Sequence, residues 1–365
     1  MGTDREERKN SAKMRRIKRI AAILAASTVG VTVTGIVAAI ISYNAVFPRY
    51  ERYDYSLTLG AYDYSLYGES LPRRLMSFKS GENRLAAYYY PSGSARGLVA
   101  LVHGFHAGAD DYLPLIGEIV ARGYAVFSFD CTGSFDSEGE SGIGMCQPLI
   151  DLDRALDFIK GDEEMSCMPL YLVGHSLGGY AAASVLEKHK EVRACVLIAP
   201  MNDASRVMID MSRDRVGAVA YATKPVFDIY QRYLFGDYVD MNSVRGINST
   251  SAPILIVQGR QDEIITHDGH SVTARLDEIT NPHVQVIWRD GVRGTHDGVW
   301  HSVASGEYRL EIEGRIKELE ARCGRTLADD ERRELYKTVD HRLYSEADGE
   351  LVDRMIELFD GAVAD

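Results

Sequence analysis

The hydrophobic pattern changes character along the chain. From Ile20 to Phe47 the sequence IAAILAASTVGVTVTGIVAAIISYNAVF runs 28 residues without a charged side chain. About 20 such residues, rising 1.5 Å each, cross the hydrocarbon layer of a bilayer. The run is roughly twice the apolar core of a cleaved signal peptide and has no polar face, so it predicts an uncleaved signal-anchor helix over 20–47. A Tyr-rich linker over 48–72 follows, containing RYERYDYSLTLGAYDYSLYG. Tyr43, Phe47, Tyr50 and Tyr53 suit either an aromatic belt at the membrane surface or packing of the linker against the body.

Past the linker the pattern becomes that of a sheet. LMSFKS and RLAAYYY (84–90) alternate as a half-exposed antiparallel hairpin does. Continuous apolar runs then recur at 97–103, 124–130, 169–175, 194–200, 253–259 and 284–290. Strands lacking alternation are buried on both faces, as in a parallel sheet covered by helices. Helical patterns near 110–122, 146–160, 177–189 and 268–279 fall between them. The expected body is therefore an α/β, doubly wound, mostly parallel sheet over 73–301. The gap at 201–252 is too long for a simple crossover. It predicts a helical cap with Val226, Ile229, Tyr230, Tyr233 and Leu234 facing the sheet edge or a cavity, and that cap is expected to wall the pocket. The charged tail over 302–365 reads as a helical extension packed on the body.

Charge refines this picture. Residues 1–19 carry a net +5, which leaves −17 on the rest of the chain. The positive-inside rule keeps the basic end cytoplasmic and sends the body to the extracytoplasmic side. A body so acidic repels phosphate backbones and argues against nucleic acid as a partner. Cysteines at 131, 146, 167, 195 and 323 show no paired C-x-x-C spacing and suggest no metal site. A Cys131–Cys146 bridge stays open if the body is extracytoplasmic, and Cys195 reads as a small buried hydrophobe.

Candidate chemistry concentrates at YLVGHSLGGYAAA (171–183). Strand, Gly174-His175-Ser176-Leu177-Gly178, then helix is the sequence form of a nucleophile elbow. Side chains at positions 174 and 178 would strike the adjoining strand and helix, and glycine removes the clash. Ser176 Oγ then stands at the carboxyl edge of the sheet, beside a helix N-terminus that favours developing negative charge.

On these residues the chain resembles the α/β-hydrolase family of serine hydrolases over about 73–301. The resemblance implies a nucleophile, acid, base order. The base is then His296 in GVRGTHDGVW, with His301 as the alternative. The acid is Asp262 in QGRQDEII, with Glu263 beside it. It further implies an oxyanion hole made by the backbone N–H groups of Leu177 and of Phe105, in LVHGFHAG. His103 is read as a brace for that loop, and His267 and His270 as solvent-facing. The family often carries D-x-R-G-x-G-x-S where this chain has FDCTGSFDSEGES. Asp130, Gly133 and Ser137 match, whereas Thr132 and Phe135 depart, and Asp130 is read as structural.

The implied activity is hydrolysis of carboxylic esters or related acyl substrates through a covalent acyl-enzyme, without cofactor or metal. The substrate is a small acyl molecule, with lipid suggested by the bilayer alone. A catalytically silent binding protein on the same fold, or a peptidase or amidase with the same triad, are the alternatives.

Overall fold

The computed structural model describes residues 2–203, 207, 217 and 219–362. Helix α1 (Gly2–Asn44) comes first. It begins well before the expected start at 20 and ends short of 47. The basic segment is rich in Arg and Lys, which are good helix formers, and so continues the helix. Pro48 limits it at the other end, since a residue preceding proline is driven out of helical geometry. Within α1, Asn10–Asn44 is long and apolar enough to cross a membrane by length and composition, with mean hydropathy 2.1 and none of its most apolar window buried.

Strands β1 (Arg74–Ser80) and β2 (Asn83–Tyr90) pair as the antiparallel hairpin. Next come β3 (Leu98–Val102), helix α2 (Leu113–Ala121), β4 (Ala125–Phe129), α3 (Gln147–Gly161), β5 (Leu170–His175), α4 (Leu177–Ser184) and β6 (Val192–Ile198). Helices α5 (Val219–Phe235) and α6 (Ser243–Asn248) precede β7 (Ile254–Gly259) and β8 (Val284–Arg289). Then follow α7 (Val303–Cys323), α8 (Asp329–Tyr336), α9 (His341–Tyr344) and α10 (Gly349–Gly361).

The strands form one eight-stranded sheet in the order β1-β2-β4-β3-β5-β6-β7-β8, antiparallel across β1-β2-β4 and parallel elsewhere. Every residue of β3, β4, β5 and β7 is buried, as their unbroken apolar runs require. Leu149, Leu156, Ala182 and Ile247 cover one face of the sheet. Leu115, Ile116 and Ile119 cover the other together with Leu351, Met355 and Phe359 of α10. The final helix is thus a covering layer of the sheet.

Three expectations change. The stretch 268–279 holds only a 3₁₀ segment, Val272–Glu278, broken by the non-helical backbone of Arg275. None of the five cysteines is in a disulfide, and Cys146 Sγ lies 3.8 Å from Tyr180 Oη rather than bonding to Cys131. Much of the first half of the expected cap, 204–206, 208–216 and 218, lies outside the described residues, and its described remainder is α5 and α6.

Candidate active site

Ser176 sits between β5 and α4 with φ +56° and ψ −116°, a backbone that L side chains rarely adopt. Such strain persists only where the surroundings enforce it. Here its N–H donates to Ile198 O at 2.8 Å, extending the β6 pairing into the turn. A Cβ on Gly174 would lie 2.2 Å from Gly178 O, and one on Gly178 would lie 2.2 Å from Val102 O. The elbow therefore presses α4 onto the ends of β5 and β3, and no larger residue fits at either position.

The crevice above the carboxyl ends of the strands gathers the remaining candidates. His296 Nε2 lies 2.9 Å from Ser176 Oγ, and its Nδ1 lies 2.9 and 3.0 Å from the two oxygens of Asp262. Nδ1–H donates to the carboxylate, which leaves Nε2 to accept from the hydroxyl. Asp262 follows β7, and its Oδ1 accepts the N–H groups of Ile264 and Ile265 at 3.0 and 2.7 Å. Gln258 Nε2 donates to Oδ2 at 3.1 Å, so donors on all sides fix the rotamer. Ser176, Asp262 and His296 are all buried. Glu263 takes no part in the relay, although its Oε2 accepts the His296 N–H at 3.3 Å.

Leu177 opens α4 directly after Ser176, so its N–H has no intrahelical acceptor. Phe105 lies on the loop after β3 and lines the same cavity as Ser176 and His296. Tyr112 fixes that loop, its hydroxyl accepting the Gly104 N–H at 3.1 Å. The same hydroxyl donates to His175 Nδ1 at 2.8 Å, and His175 Nε2–H donates to His296 O at 3.2 Å. Burial, and next the His296 charge, push the His175 imidazole down to about 4, consistent with a neutral ring that accepts at one nitrogen and donates at the other. Neither Tyr112 nor Gln258 was visible as a site residue in the sequence, since neither lies in a motif.

The other histidines and the altered loop have structural partners. His103 Nδ1–H donates to Gly104 O at 2.7 Å while Nε2 accepts the Cys131 N–H at 2.9 Å, bracing the loop. His301 packs on Trp300 and is absent from the relay, and His267 and His270 are half-buried. Buried Asp130 accepts from Ala109 N–H and Tyr88 Oη, both at 2.8 Å. Thr132 bonds to Asp151 through its N–H and hydroxyl at 2.8 and 2.9 Å. Phe135, with φ +41°, forms a plate on which Tyr50 and Tyr53 pack with ring centroids 5.8 and 5.3 Å away.

The cavity over Ser176 has a volume of about 630 Å³. Among the described residues its walls come from the Tyr-rich linker (Tyr50, Tyr53, Tyr62) and the C-terminal helices (Arg309, Tyr336, Tyr344), with none from 201–252. The expected role of the cap as pocket wall falls in part on 204–206, 208–216 and 218, which lie outside the described residues. Tyr43 and Phe47 are buried too, so these aromatic residues pack the linker rather than forming an exposed belt.

One cluster has metal-ligand character. His175, His296 and Asp297 bring ligand atoms within 4.8 Å of one another. The ring nitrogens of both histidines are already committed, His296 to Asp262 and Ser176, His175 to Tyr112 and a carbonyl. A cation there would have to break the relay.

Residues 93–232 match the hydrolase family described as "Serine aminopeptidase, S33", a span that contains Ser176 and stops short of Asp262 and His296. The lysophosphatidylserine lipase ABHD12 of Danio rerio is 26% identical over 184 residues, 47% of this chain and 45% of that protein. The monoglyceride lipase of Homo sapiens is 25% identical over 122 residues, 33% of this chain and 40% of that protein. The chain thus spans less than half the length of these curated relatives. An esterase of Pyrococcus furiosus superposes with TM-score 0.50 and 20% identity over 69% of this chain and 92% of its own, a likeness of fold. The chain has the α/β-hydrolase fold, and its residues 93–232 are similar to a family of serine hydrolases.

Proposed function

We propose that the protein is a membrane-anchored serine hydrolase that cleaves carboxylic esters through a Ser176-His296-Asp262 triad. The observation that carries this reading is the unbroken relay from Asp262 through His296 to Ser176, with contacts of 2.9 to 3.0 Å. His296 takes the Ser176 proton as the hydroxyl attacks the carbonyl carbon, while Asp262 orients the ring and stabilises the imidazolium without accepting the proton. The Phe105 and Leu177 N–H groups receive the developing oxyanion. His296 then protonates the leaving alkoxide, and water, activated by the same ring, releases the acid from the acyl-enzyme. A glycerolipid-type ester is supported by the two lipases among the relatives.

Anchoring through α1 is supported by its length and apolarity and by the basic residues that precede its apolar part. In this reading the N-terminus is cytoplasmic and the catalytic body extracytoplasmic. A second reading, amide or peptide cleavage by the same triad, is favoured by the description of the matching family.

A fluorophosphonate probe is expected to label the full chain covalently, and Ser176→Ala to abolish labelling together with at least a 10⁴-fold fall in ester turnover. Equal labelling of both proteins would remove the mechanism.

A further inference from the structure

Arg309, on α7, shares the wall of the Ser176 cavity and has an unusual set of partners. Its Nε donates to Tyr344 O at 2.8 Å, and Nη2 donates to His301 Nε2 at 2.7 Å and to Tyr62 Oη at 3.4 Å. All three acceptors are neutral. His301 Nδ1–H donates to Glu346 O at 3.2 Å, so the ring must present Nε2 as the acceptor. Among the described residues no carboxylate oxygen lies within 4.0 Å of the guanidinium, and Nη1 has no protein partner. A half-buried arginine held rigidly by neutral groups, with one face open to a reaction cavity, keeps its charge and its donor fork for something that enters that cavity.

The two carboxylates on the same wall do not take this role. Asp111 accepts from the Tyr53 hydroxyl and from Gly108 N–H, and Asp297 stands near the ring nitrogens of His175 and His296. We propose that Arg309 is the specificity residue of the site, binding an oxyanion group, carboxylate or phosphate, carried by the ester substrate. This rests on the hydrolase reading above, and adds that the preferred ester is anionic rather than neutral.

The experiment compares three esters of one acyl chain on the full protein: a 1-acylglycerol, a 1-acylglycerol 3-phosphate and an acylglycerol bearing a succinate group. The wild type is expected to favour at least one anionic ester over the neutral one by about 10–100-fold in kcat/KM, mainly through KM. Whichever arm is favoured identifies the phosphate or the carboxylate as the natural anion. Arg309→Gln is expected to bring that ratio close to one, and Arg309→Lys to retain part of it. A ratio that Arg309→Gln leaves unchanged, or a wild type without charge preference, overturns the proposal. Equal loss on all three esters does so as well, because it marks a purely structural residue.

Binding gives an arm independent of turnover. Glycerol 3-phosphate or succinate should bind Ser176→Ala by calorimetry, and at least 10-fold more weakly when Arg309→Gln is added. Absence of binding by both anions refutes the anion site, whereas failure of the probe to label Ser176 refutes the hydrolase reading and leaves this measurement readable.

Discussion

At the scale of single residues, the site is held by buried groups whose protonation is fixed by what they touch. Burial pushes the His103 imidazole from its ordinary 6.5 down to about 4. The fold needs it neutral, because Nε2 must accept the Cys131 N–H. The unfolded chain binds the proton below about 6.5, so the stability this residue contributes is complete above that pH and is lost as pH falls toward 4. His175, also lowered to about 4, acts in the same direction. Asp111 and Asp130, raised by burial to about 6 and about 7, act oppositely. Each holds a proton that the unfolded chain has released, a contribution present below the usual carboxylate range and lost as pH rises through those values. The opposed contributions flatten the wild-type profile, and His103→Gln isolates one of them. The difference in unfolding free energy between wild type and variant should shrink by about 1.4 kcal/mol per pH unit from pH 6 to 4.5. A gap that denaturant titrations find constant over that range would refute the assignment.

At the scale of elements, the linker behaves as a strap clamped over the cavity. Arg49 donates to Ser137 O and Gly139 O at 2.8 and 2.9 Å, and Arg52 bridges Asp110 and Asp136 at 2.7 and 2.8 Å. Asp110 is buried and keeps Arg73 if Arg52 is lost, so Arg52→Ala should cost about 1–3 kcal/mol, between an exposed and a fully buried pair. It should also make the 49–68 segment more sensitive to limited proteolysis, and an unaltered cleavage pattern would mean that the strap is held elsewhere. This strap marks the limit of what the sequence could disclose. The strands were legible because both faces are buried and the apolar runs are continuous, and the elbow because sterics demand its glycines. Asp262 and His296 were singled out only through the family resemblance, as the candidates after β7 and β8. The cavity wall was not, because it depends on pairings without periodicity, such as Ala61 N–H to Ser345 Oγ at 2.9 Å and His341 Nδ1 to Leu59 O at 3.0 Å. The helix expected at 268–279 failed for a local reason. Ser271 caps the Thr273 N–H, and the kink at Arg275 ends the turn that follows.

At the scale of the whole molecule, the question is how the body sits relative to α1. Tyr43, the penultimate residue of α1, packs on Phe227 and Tyr230 of α5 with ring centroids 5.8 and 5.3 Å away, and Tyr230 donates to Asn44 Oδ1 at 3.1 Å. The apolar helix and α5 are therefore docked side by side, and α5 cannot swing freely on a tether. On its outer side α5 carries Tyr221, Ile229 and Tyr233, which are 50%, 73% and 83% exposed. Their spacing in multiples of four puts them in one stripe, and Val37 and Ile41 of the neighbouring α1 are exposed as well. If α1 spans a bilayer, that stripe meets the lipid interface where α1 emerges. Phe47, 5.7 Å from the Phe105 ring, then holds the loop after β3 close to the same surface. In proteoliposomes containing brominated lipid, tryptophan emission from Ile229→Trp and Tyr233→Trp full chains should be quenched above the background of Trp288 and Trp300. Val37→Trp serves as the reference for the span. Quenching at position 37 without quenching at 229 or 233 would place α5 in water and leave the anchor intact. Absence of quenching at all three would remove the anchor itself, and with it the reason for a catalytic cavity to open beside lipid.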